Sequence, residues 1–420
     1  MLSLTTELRR LRTNALARNA GWMLIGQGCS FLLQAGYFVL LARLLGVREY
    51  GVFAGAFAFV GIAMPYSTLG SGLLFVRYVG ARSDSFAVYW GNIILSTAIA
   101  GSVLIAVLYV AAPHLLNPAS AAIVLPVGIG NCIFGQLVAS MGFVFQTFER
   151  LRMTAALSIL TNAMRLLAVG IMTVLLPHAN ARQWAMASLY VSLAAAIVGF
   201  VVVSRSFCWP RFLPRLVVSH AAEGLGFSLG WSAQSIYNDI DKTLLSHYGL
   251  NVQNGIYTMA YRIVDIASIP IVALDAAALP RYVRDSSNGF PSVSRLAVRL
   301  AVRASLLGLA MSVVLFLGAP LIPHLVGSGF AAGVQALRWL CLLPAMRGIH
   351  QLTGCALTGM GLQRFRTAAQ LSAAGLNLVL NVLLIPRYGW HGAAWASLAT
   401  DGSLAVATWL LLKGISKRHA

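Results

Sequence analysis

Long apolar segments without charged residues recur along the whole chain. Asn19–Ala42, Tyr50–Val76 and Ser85–Phe148 contain no Asp, Glu, Lys or Arg. A helix needs about 20 apolar residues to cross the hydrocarbon core of a bilayer, so each segment is long enough for at least one crossing. The pattern predicts an all-α polytopic membrane protein.

The apolar windows predict about twelve transmembrane helices joined by short loops. No loop is long enough to hold a soluble domain, so we expect any functional site to lie among the helices. The first apolar segment is too long for a signal-peptide core, and no cleavage site follows it. The predicted spans are 19–42, 50–74, 87–111, 121–147, 154–177, 183–204, 224–246, 254–278, 303–322, 334–357, 367–386 and 390–412. Kinks are expected where prolines fall in or near spans, at Pro65, Pro126, Pro270 and Pro344.

Charge follows this predicted topology. Only 10% of residues are charged, although the formal net charge is +19. Most Lys and Arg residues fall in the segments on one side of the predicted spans, and the positive-inside rule places that side in the cytoplasm. Both termini are therefore expected in the cytoplasm, and no nucleic-acid partner is needed to explain the charge. The five scattered cysteines form no CxxC pair and are expected to be packing residues.

A basic loop with two prolines follows the sixth span and predicts a linker between two six-helix lobes. Internal similarity supports a duplication: Gly46 and Gly51-Val-Phe53 in the first half correspond to Gly249 and Gly255-Ile-Tyr257 in the second. Repeats of this kind place a substrate site between the lobes, in a central cavity. The predicted division is a basic amphipathic cytoplasmic N-terminus at 1–18, an N-terminal lobe at 19–204, a linker at 205–222, a C-terminal lobe at 223–412 and a cytoplasmic tail at 413–420.

Charges inside spans are costly and usually face a cavity or a partner. Arg165, Arg262 and Arg347 lie inside the fifth, eighth and tenth spans. A guanidinium stays charged and offers two parallel donors, so these residues predict a binding site for a phosphate or diphosphate headgroup. The alternative is static pairing, for example of Arg262 with Asp265 three residues further along the helix.

Three aspartates also fall within spans: Asp239, Asp265 and Asp401. They are candidates for proton or sodium coupling or for structural pairing. No catalytic residue, metal site or cofactor is predicted, and the absence of a GxxxxGK[ST] motif excludes a P-loop ATPase. Sugar specificity is expected from polar residues in the spans, with Asn162, Gln234, Asn238, Gln351 and Asn377 as candidates.

Three stretches resemble the flippases of polysaccharide biosynthesis, in the multidrug/oligosaccharidyl-lipid/polysaccharide (MOP) exporter superfamily. They are Leu44-Leu45-Gly46 with Tyr50-Gly51, then Gly255 to Arg262 with Pro280, and then Asn377 to Ala394. The resemblance covers essentially the whole chain and implies two six-helix lobes around a cavity that opens alternately to each side. It implies transport of an undecaprenyl-diphosphate-linked oligosaccharide across the bacterial inner membrane, with polyprenyl-linked glycan and membrane lipids as partners and an association with polysaccharide polymerase machinery. Arg262, Arg165 and Arg347 match the cationic cavity of the family by position.

Two other functions remain open at this point. A multidrug or cation antiporter of the same superfamily would need a cavity with an excess of acidic residues, whereas these spans carry arginines. A membrane polysaccharide polymerase or ligase would need a substantial outer loop, whereas the predicted outer loops are short. Without the two extra C-terminal spans of the peptidoglycan-precursor flippases, the resemblance favours an O-antigen or exopolysaccharide unit, as in lipopolysaccharide biosynthesis.

Overall fold

The computed structural model describes residues 2–418, and for residues 2–21, 23–25, 230, 231, 233, 288 and 416–418 it describes the backbone only. This part of the chain is almost entirely helical and contains no strand, which confirms the all-α prediction. Within it, eight helices are long and apolar enough to cross a membrane. Counting the pair Asn251–Ala267 and Ile269–Asp285, bent by 46°, as one span gives nine.

The helices follow one another with short connections. In the first half of the chain they are α1 Leu2–Ala63, α2 Ser71–Ala81, α3 Phe86–Leu115, α4 Pro118–Ala121, α5 Val124–Gly128, α6 Gln136–Thr147, α7 Leu151–Leu175, α8 Ala181–Ser206 and α9 Pro214–His247. In the second half they are α10 Asn251–Ala267, α11 Ile269–Asp285, α12 Phe290–Gly318, α13 Ile322–Val326, α14 Gly333–Leu340, α15 Leu343–Gly359, α16 Gln363–Tyr388 and α17 Trp390–Arg418. Short 3₁₀ turns lie at Met64–Tyr66, Ser83–Ser85, Ser286–Asn288, Ala319–Leu321 and Ser328–Phe330, and a π-helix at Ile129–Gly135 joins α5 to α6.

The predicted spans fall on these helices, but some of them are interrupted at prolines. The second predicted span, 50–74, is broken where a kink was expected: α1 ends at Ala63, and a 3₁₀ turn that contains Pro65 precedes α2. The eighth span bends where Pro270 opens α11, and Pro344 opens α15 inside the predicted tenth span. Proline lacks the N–H that a continuing helix needs, so it is accommodated best in the first turn of a new helix.

Residues 2–18 of the predicted basic segment form the first part of α1. The prediction that this segment is amphipathic concerns its side chains, which the structure does not describe. The helix α1 is itself interrupted once, at Gly46, whose φ of 68° and ψ of 172° are non-helical. A positive φ is accessible to glycine without a steric penalty, so this residue marks the break.

The chain divides into two compact units. Unit 1 comprises Met1–Leu44, Ala63–Pro113 and Ala121–Ser232, and unit 2 comprises Leu45–Ile62, His114–Ser120 and Ala233–Ala420. The segments 45–62 and 114–120, which the predicted division assigns to the N-terminal lobe, thus pack with unit 2. Asn117 donates hydrogen bonds of 2.8 Å to the backbone oxygen and the hydroxyl of Ser246.

Unit 1 has an aromatic core. Trp90 of α3 is fully buried and donates a 3.2 Å hydrogen bond from its indole nitrogen to the Ser204 hydroxyl of α8. Phe75 of α2 and Phe145 of α6 are also fully buried and belong to the same cluster. This core joins the helices that surround Arg165.

Unit 2 is organised around α15, which packs along α12, α11 and α17. A Cβ atom on Gly308 of α12 would lie 2.6 Å from the backbone of Ala345, and one on Gly348 of α15 would lie 2.7 Å from the backbone of Ala304. Glycines that allow such close backbone approach are typical of helix packing in lipid. The close crossing fixes the position of Arg347, next to Gly348.

Candidate functional site: a charged cluster around Tyr261

Arg347 lies on α15 and is buried, with 8% of the residue exposed. Its guanidinium donates to three acceptors: Asp265 Oδ1 at 2.9 Å, the Tyr261 hydroxyl at 3.0 Å and the Ser268 hydroxyl at 3.3 Å. A buried cation is tolerated when it is paired and hydrogen-bonded in this way. Arg347 is therefore already held by protein groups.

Asp265 on α10 is shared between two arginines. Besides accepting from Arg347, its Oδ2 lies 3.9 Å from Arg262 Nη1, at the i,i+3 spacing. The Arg262 side chain is 26% exposed, and its guanidinium lies 5.8 Å from the centre of the Phe57 ring. The pairing predicted between Arg262 and Asp265 is thus present as a loose contact, and Asp265 binds Arg347 more closely.

A second buried basic group belongs to the same region. The Lys242 ammonium of α9 lies 3.4 Å from Asp239 Oδ1 and 3.3 Å from Asp241 Oδ1, and it donates to the backbone oxygen of Asn238. Its side chain is 4% exposed. The predicted ion-coupling candidate Asp239 therefore faces a lysine in this structure.

Asp241 is fully buried and also links helices that are distant in sequence. Its Oδ2 accepts a 2.5 Å hydrogen bond from the Tyr257 hydroxyl of α10 and a 3.4 Å hydrogen bond from the Ser397 hydroxyl of α17. The Tyr257 and Ser397 hydroxyls are themselves 2.9 Å apart. Each oxygen of this carboxylate therefore has a partner, as a buried carboxylate requires.

Tyr261 lies between these groups. Its ring centre is 4.2 Å from the Lys242 ammonium and 5.3 Å from the centre of the Arg347 guanidinium. An aromatic face attracts cations at such distances, so the ring holds two positive groups within one small region. Asp401 lies near enough to Tyr261 for its charge to act at the Tyr261 hydroxyl.

Asp401 on α17 has a histidine as its partner. Its Oδ1 lies 3.0 Å from Nε2 of His350 on α15, and both side chains are buried. Asp401 was predicted as a candidate for ion coupling or structural pairing, and the structure pairs it with a group that can itself carry a proton.

We call the charged groups around Tyr261 the Tyr261 cluster. It contains three basic side chains, those of Arg262, Arg347 and Lys242. It also contains four carboxylates, those of Asp239, Asp241, Asp265 and Asp401. Three carboxylates have Arg or Lys partners, and the fourth, Asp401, is paired with His350. Counted by themselves, these seven groups include one more carboxylate than Lys and Arg side chains.

Arg165 belongs to unit 1 and lines a cavity of about 370 Å³ there. Amides and hydroxyls make up much of the lining, and Asn162 donates a 3.0 Å hydrogen bond to the Ser158 backbone oxygen. The polar and charged residues that line this cavity are Gln34, Gln146, Thr154, Ser158, Thr161, Asn162, Arg165 and Ser192. Such a mixture suits a hydroxylated ligand with an anionic group.

The structure thus brings Arg262, Arg347, Asp265, Asp239 and Asp401 together in unit 2 and places Arg165 in unit 1. The remaining polar candidates separate into different environments. Asn377 is buried and donates to the Thr400 hydroxyl at 3.0 Å, whereas Gln234 and Gln351 line a small polar cavity in unit 2.

Sequence reasoning missed Asp241, Lys242, Tyr261 and His350 as members of the site. Lys242 carried the clearest signal, because a lysine adjacent to an Asp-x-Asp pair in a predicted span needs an explanation. His350 stands one helical turn from Arg347, a spacing that places both on one face of α15.

Comparison with known protein families gives one match over more than half of the chain. The profile of the family described as "Polysaccharide biosynthesis protein" matches residues 16–286. Comparison with curated protein sequences gives no significant match.

Several solved structures share the fold of the chain. One is described as the inward-facing conformation of a multidrug resistance MATE family transporter of the MOP superfamily, with a TM-score of 0.73, 13% identity, and coverage of 94% of this chain and 98% of that one. Another is the lipid II flippase MurJ in an inward closed conformation, with a TM-score of 0.74, 15% identity, and coverage of 93% and 87%. A third is described as the outward-facing conformation of a multidrug resistance MATE family transporter, with a TM-score of 0.64, 16% identity, and coverage of 96% of each chain.

These likenesses establish the fold, and the profile match, which spans more than half of the chain, establishes the family. The resemblance noted in the sequence is confirmed: the chain belongs to the polysaccharide biosynthesis protein family and has the fold of the MOP superfamily.

Proposed function

We propose that this protein is a flippase that moves an undecaprenyl-diphosphate-linked oligosaccharide across the bacterial inner membrane. The observation that carries the proposal is that Arg262 and Arg347 share one carboxylate, Asp265, within a membrane-spanning unit. The trio has a net positive charge, which attracts an anionic headgroup such as a diphosphate.

Arg262 is the residue that would meet the headgroup first. Its side chain is more exposed than that of Arg347, and its contact with Asp265 is at the outer limit of an ion pair. Arg347 would bind the headgroup only if the anion displaced Asp265, because its guanidinium already donates to Asp265, Ser268 and Tyr261. Guanidinium groups bind phosphate oxygens through paired N–H donors, so two of them suit a diphosphate.

The sugars of the cargo would be bound by polar side chains. The unit 1 cavity around Arg165 and Asn162 offers amides, hydroxyls and one cation in about 370 Å³, within the usual range for small-ligand pockets. The polyprenyl chain would remain in the lipid while the headgroup crosses by alternating access. On this proposal the protein is a transporter rather than an enzyme, both termini are cytoplasmic, and the cargo is an O-antigen or exopolysaccharide unit.

A cation antiporter is the main alternative. It would require carboxylates that are available to a positively charged cargo. In unit 2, Asp239, Asp241 and Asp265 each lie within 4 Å of a lysine or arginine, so a cationic cargo would have to displace an internal partner. The fourth carboxylate of the Tyr261 cluster, Asp401, is paired with His350. Although carboxylates outnumber the Lys and Arg side chains of the cluster by one, each of them is held by an internal partner, and this favours an anionic cargo.

The test is leaflet exchange in liposomes. The purified protein would be reconstituted with a fluorescent polyprenyl-diphosphate oligosaccharide, and the fraction protected from an external quencher would be followed over time. We expect protein-dependent exchange that Arg262→Ala reduces at least about tenfold, since loss of a charge-assisted contact costs about 1.5–3 kcal/mol.

Arg338→Ala is the matched control. Arg338 is an exposed arginine of α14 whose guanidinium lies over the Phe316 ring, outside the Tyr261 cluster. Exchange at the wild-type rate in Arg338→Ala and its loss in Arg262→Ala would support the proposal. Absence of exchange by the wild type, with and without imposed ion gradients, would reject it.

A further inference from the structure

We propose that the His350–Asp401 pair binds one proton, and that this proton controls how strongly Arg262 and Arg347 bind an anion. The inference rests on the proposed function, because the anion it concerns is the diphosphate headgroup of the cargo. It adds a second binding site in unit 2, whose ligand is a proton.

The first argument is charge balance. Within the Tyr261 cluster, Asp401 is the one carboxylate without a lysine or arginine within ion-pair distance, and its partner is His350 at 3.0 Å. Both side chains are less than one-tenth exposed. An unbalanced buried charge is costly, so one proton shared by the pair gives the cluster its neutral state.

The second argument is the surroundings of the pair. Charged or titratable side chains lie near the pair on several helices: Tyr237 of α9, Tyr261 of α10, Asp275 of α11, Arg347 of α15 and Arg366 of α16. Helix α12 carries Arg299 and Arg303 near its buried middle part, and both are exposed. Arg347 is paired with Asp265, and Arg366 donates a 3.0 Å hydrogen bond to the Thr358 hydroxyl, so neither replaces the histidine as the partner of Asp401.

The third argument is a route for the proton. A cavity of about 20 Å³ borders His350, and its lining includes Gln234, Tyr237, Gln351, Arg366 and Gln370. This volume is enough for one water molecule, which needs about 10–15 Å³. Gln351 Oε1 is buried and has no hydrogen-bond partner among the described residues, so it offers an acceptor for such a water. A water at this point would connect the pair to the polar residues of α16.

The link to the anion site runs through Arg347. His350 and Arg347 are three residues apart on α15 and therefore lie on one face of the helix, and Arg347 interacts electrostatically with Asp401. When the pair is deprotonated, Asp401 adds to the negative potential at Arg347 and weakens its attraction for an external anion. When the pair is protonated, Asp401 no longer weakens that attraction. Because linkage is reciprocal, the bound anion must also favour proton uptake.

The experiment is anion binding measured as a function of pH. The probe is a farnesyl diphosphate joined to one sugar, a diester whose two phosphates keep a constant charge over the range tested. Its affinity for purified full-length protein in detergent would be measured between about pH 5.5 and about pH 8.5, where histidine titrates. We expect the wild type to bind the probe about tenfold or more tightly at the lower pH. A change of one unit charge several ångströms from the anion is large enough for such an effect in a partly buried site.

Two substitutions that preserve hydrogen bonding should shift the affinity for the probe in opposite directions. Asp401→Asn removes the unbalanced charge, so it should bind tightly at both pH values. His350→Gln leaves Asp401 without its proton carrier, so it should bind weakly at both. A purely structural role would weaken binding in both variants alike. His247→Gln, at the exposed end of α9, should keep the wild-type pH dependence.

The outcomes separate the two proposals. If the wild type binds the probe with equal affinity at both pH values, or if both variants retain its pH dependence, the proton site is refuted while the headgroup site stands. If the wild type binds no better than Arg262→Ala at any pH, the headgroup site itself fails. Opposite shifts in Asp401→Asn and His350→Gln would establish the proton site.

Discussion

Gly51 and Gly255 pack against each other's helices in a reciprocal contact. A Cβ atom on Gly51 would lie 1.8 Å from the backbone oxygen of Asn251, and one on Gly255 would lie 2.0 Å from the backbone oxygen of Val47. Asn251 and Val47 each precede one of the two glycines by four residues. The contact is therefore nearly two-fold symmetric, as expected if the internal similarity between the halves reflects a duplicated structural unit.

Substitution at this contact should destabilise unit 2. Gly51→Ala would force the backbones of α1 and α10 apart, because the added methyl group meets backbone rather than a flexible side chain. We expect a loss of about 1–3 kcal/mol, the usual cost of overpacking. Thermal unfolding in detergent would show a lower transition temperature. Gly375→Ala is the control, since nothing lies within 4 Å of its added Cβ; an equal loss in both variants would contradict the prediction.

The ion pair between Arg347 and Asp265 should behave as a coupled unit. Arg347→Met leaves Asp265 without its closest partner and should cost about 1–3 kcal/mol of stability, the penalty of an unsatisfied polar group. Adding Asp265→Asn should recover part of that loss. A double-mutant cycle of unfolding free energies measures the coupling, and strictly additive losses would show that the pair contributes nothing specific.

Arg262→Lys separates charge from geometry at the headgroup site. Lysine supplies the positive charge but not the paired donors of a guanidinium. We expect exchange in liposomes between the rates of the wild type and Arg262→Ala, because a diphosphate uses both properties. A lysine variant as fast as the wild type would show that charge alone suffices.

The unit 1 cavity should affect the sugar rather than the diphosphate. Asn162→Leu removes an amide that lines the cavity and should lower transport of the native oligosaccharide several-fold. Binding of a farnesyl diphosphate that carries no sugar should be unchanged. Equal loss for both ligands would place Asn162 in the headgroup site instead.

Hydropathy and charge predicted the all-helical fold because a bilayer requires long apolar helices. They located the helix breaks less well. The segment 50–74 has no charged residue, so its composition is that of one span, yet Pro65 and the following turn divide it. Proline was a usable signal there, whereas the sequence analysis did not predict the π-helix at Ile129–Gly135.

The candidate site was predicted only in part, because a sequence shows isolated charges but not their partners. Isolated charges such as Arg262 and Arg347 stand out in an apolar sequence, but their partners are chosen by the tertiary fold. Asp265 is close to Arg262 in sequence, yet its shorter contact is with Arg347, 82 residues away. His350 carries no formal charge in a sequence count and so did not stand out at all.

The assignment of residues 45–62 and 114–120 to unit 2 has a consequence for fragment complementation. A chain cut within the linker at 205–222 would leave its N-terminal fragment holding two pieces of the other unit, including the Asn117 amide that binds Ser246. The C-terminal fragment alone would lack these pieces and expose the surfaces that receive them. The two halves should therefore be recovered as folded protein when they are co-expressed, and the C-terminal half should be degraded when it is made alone.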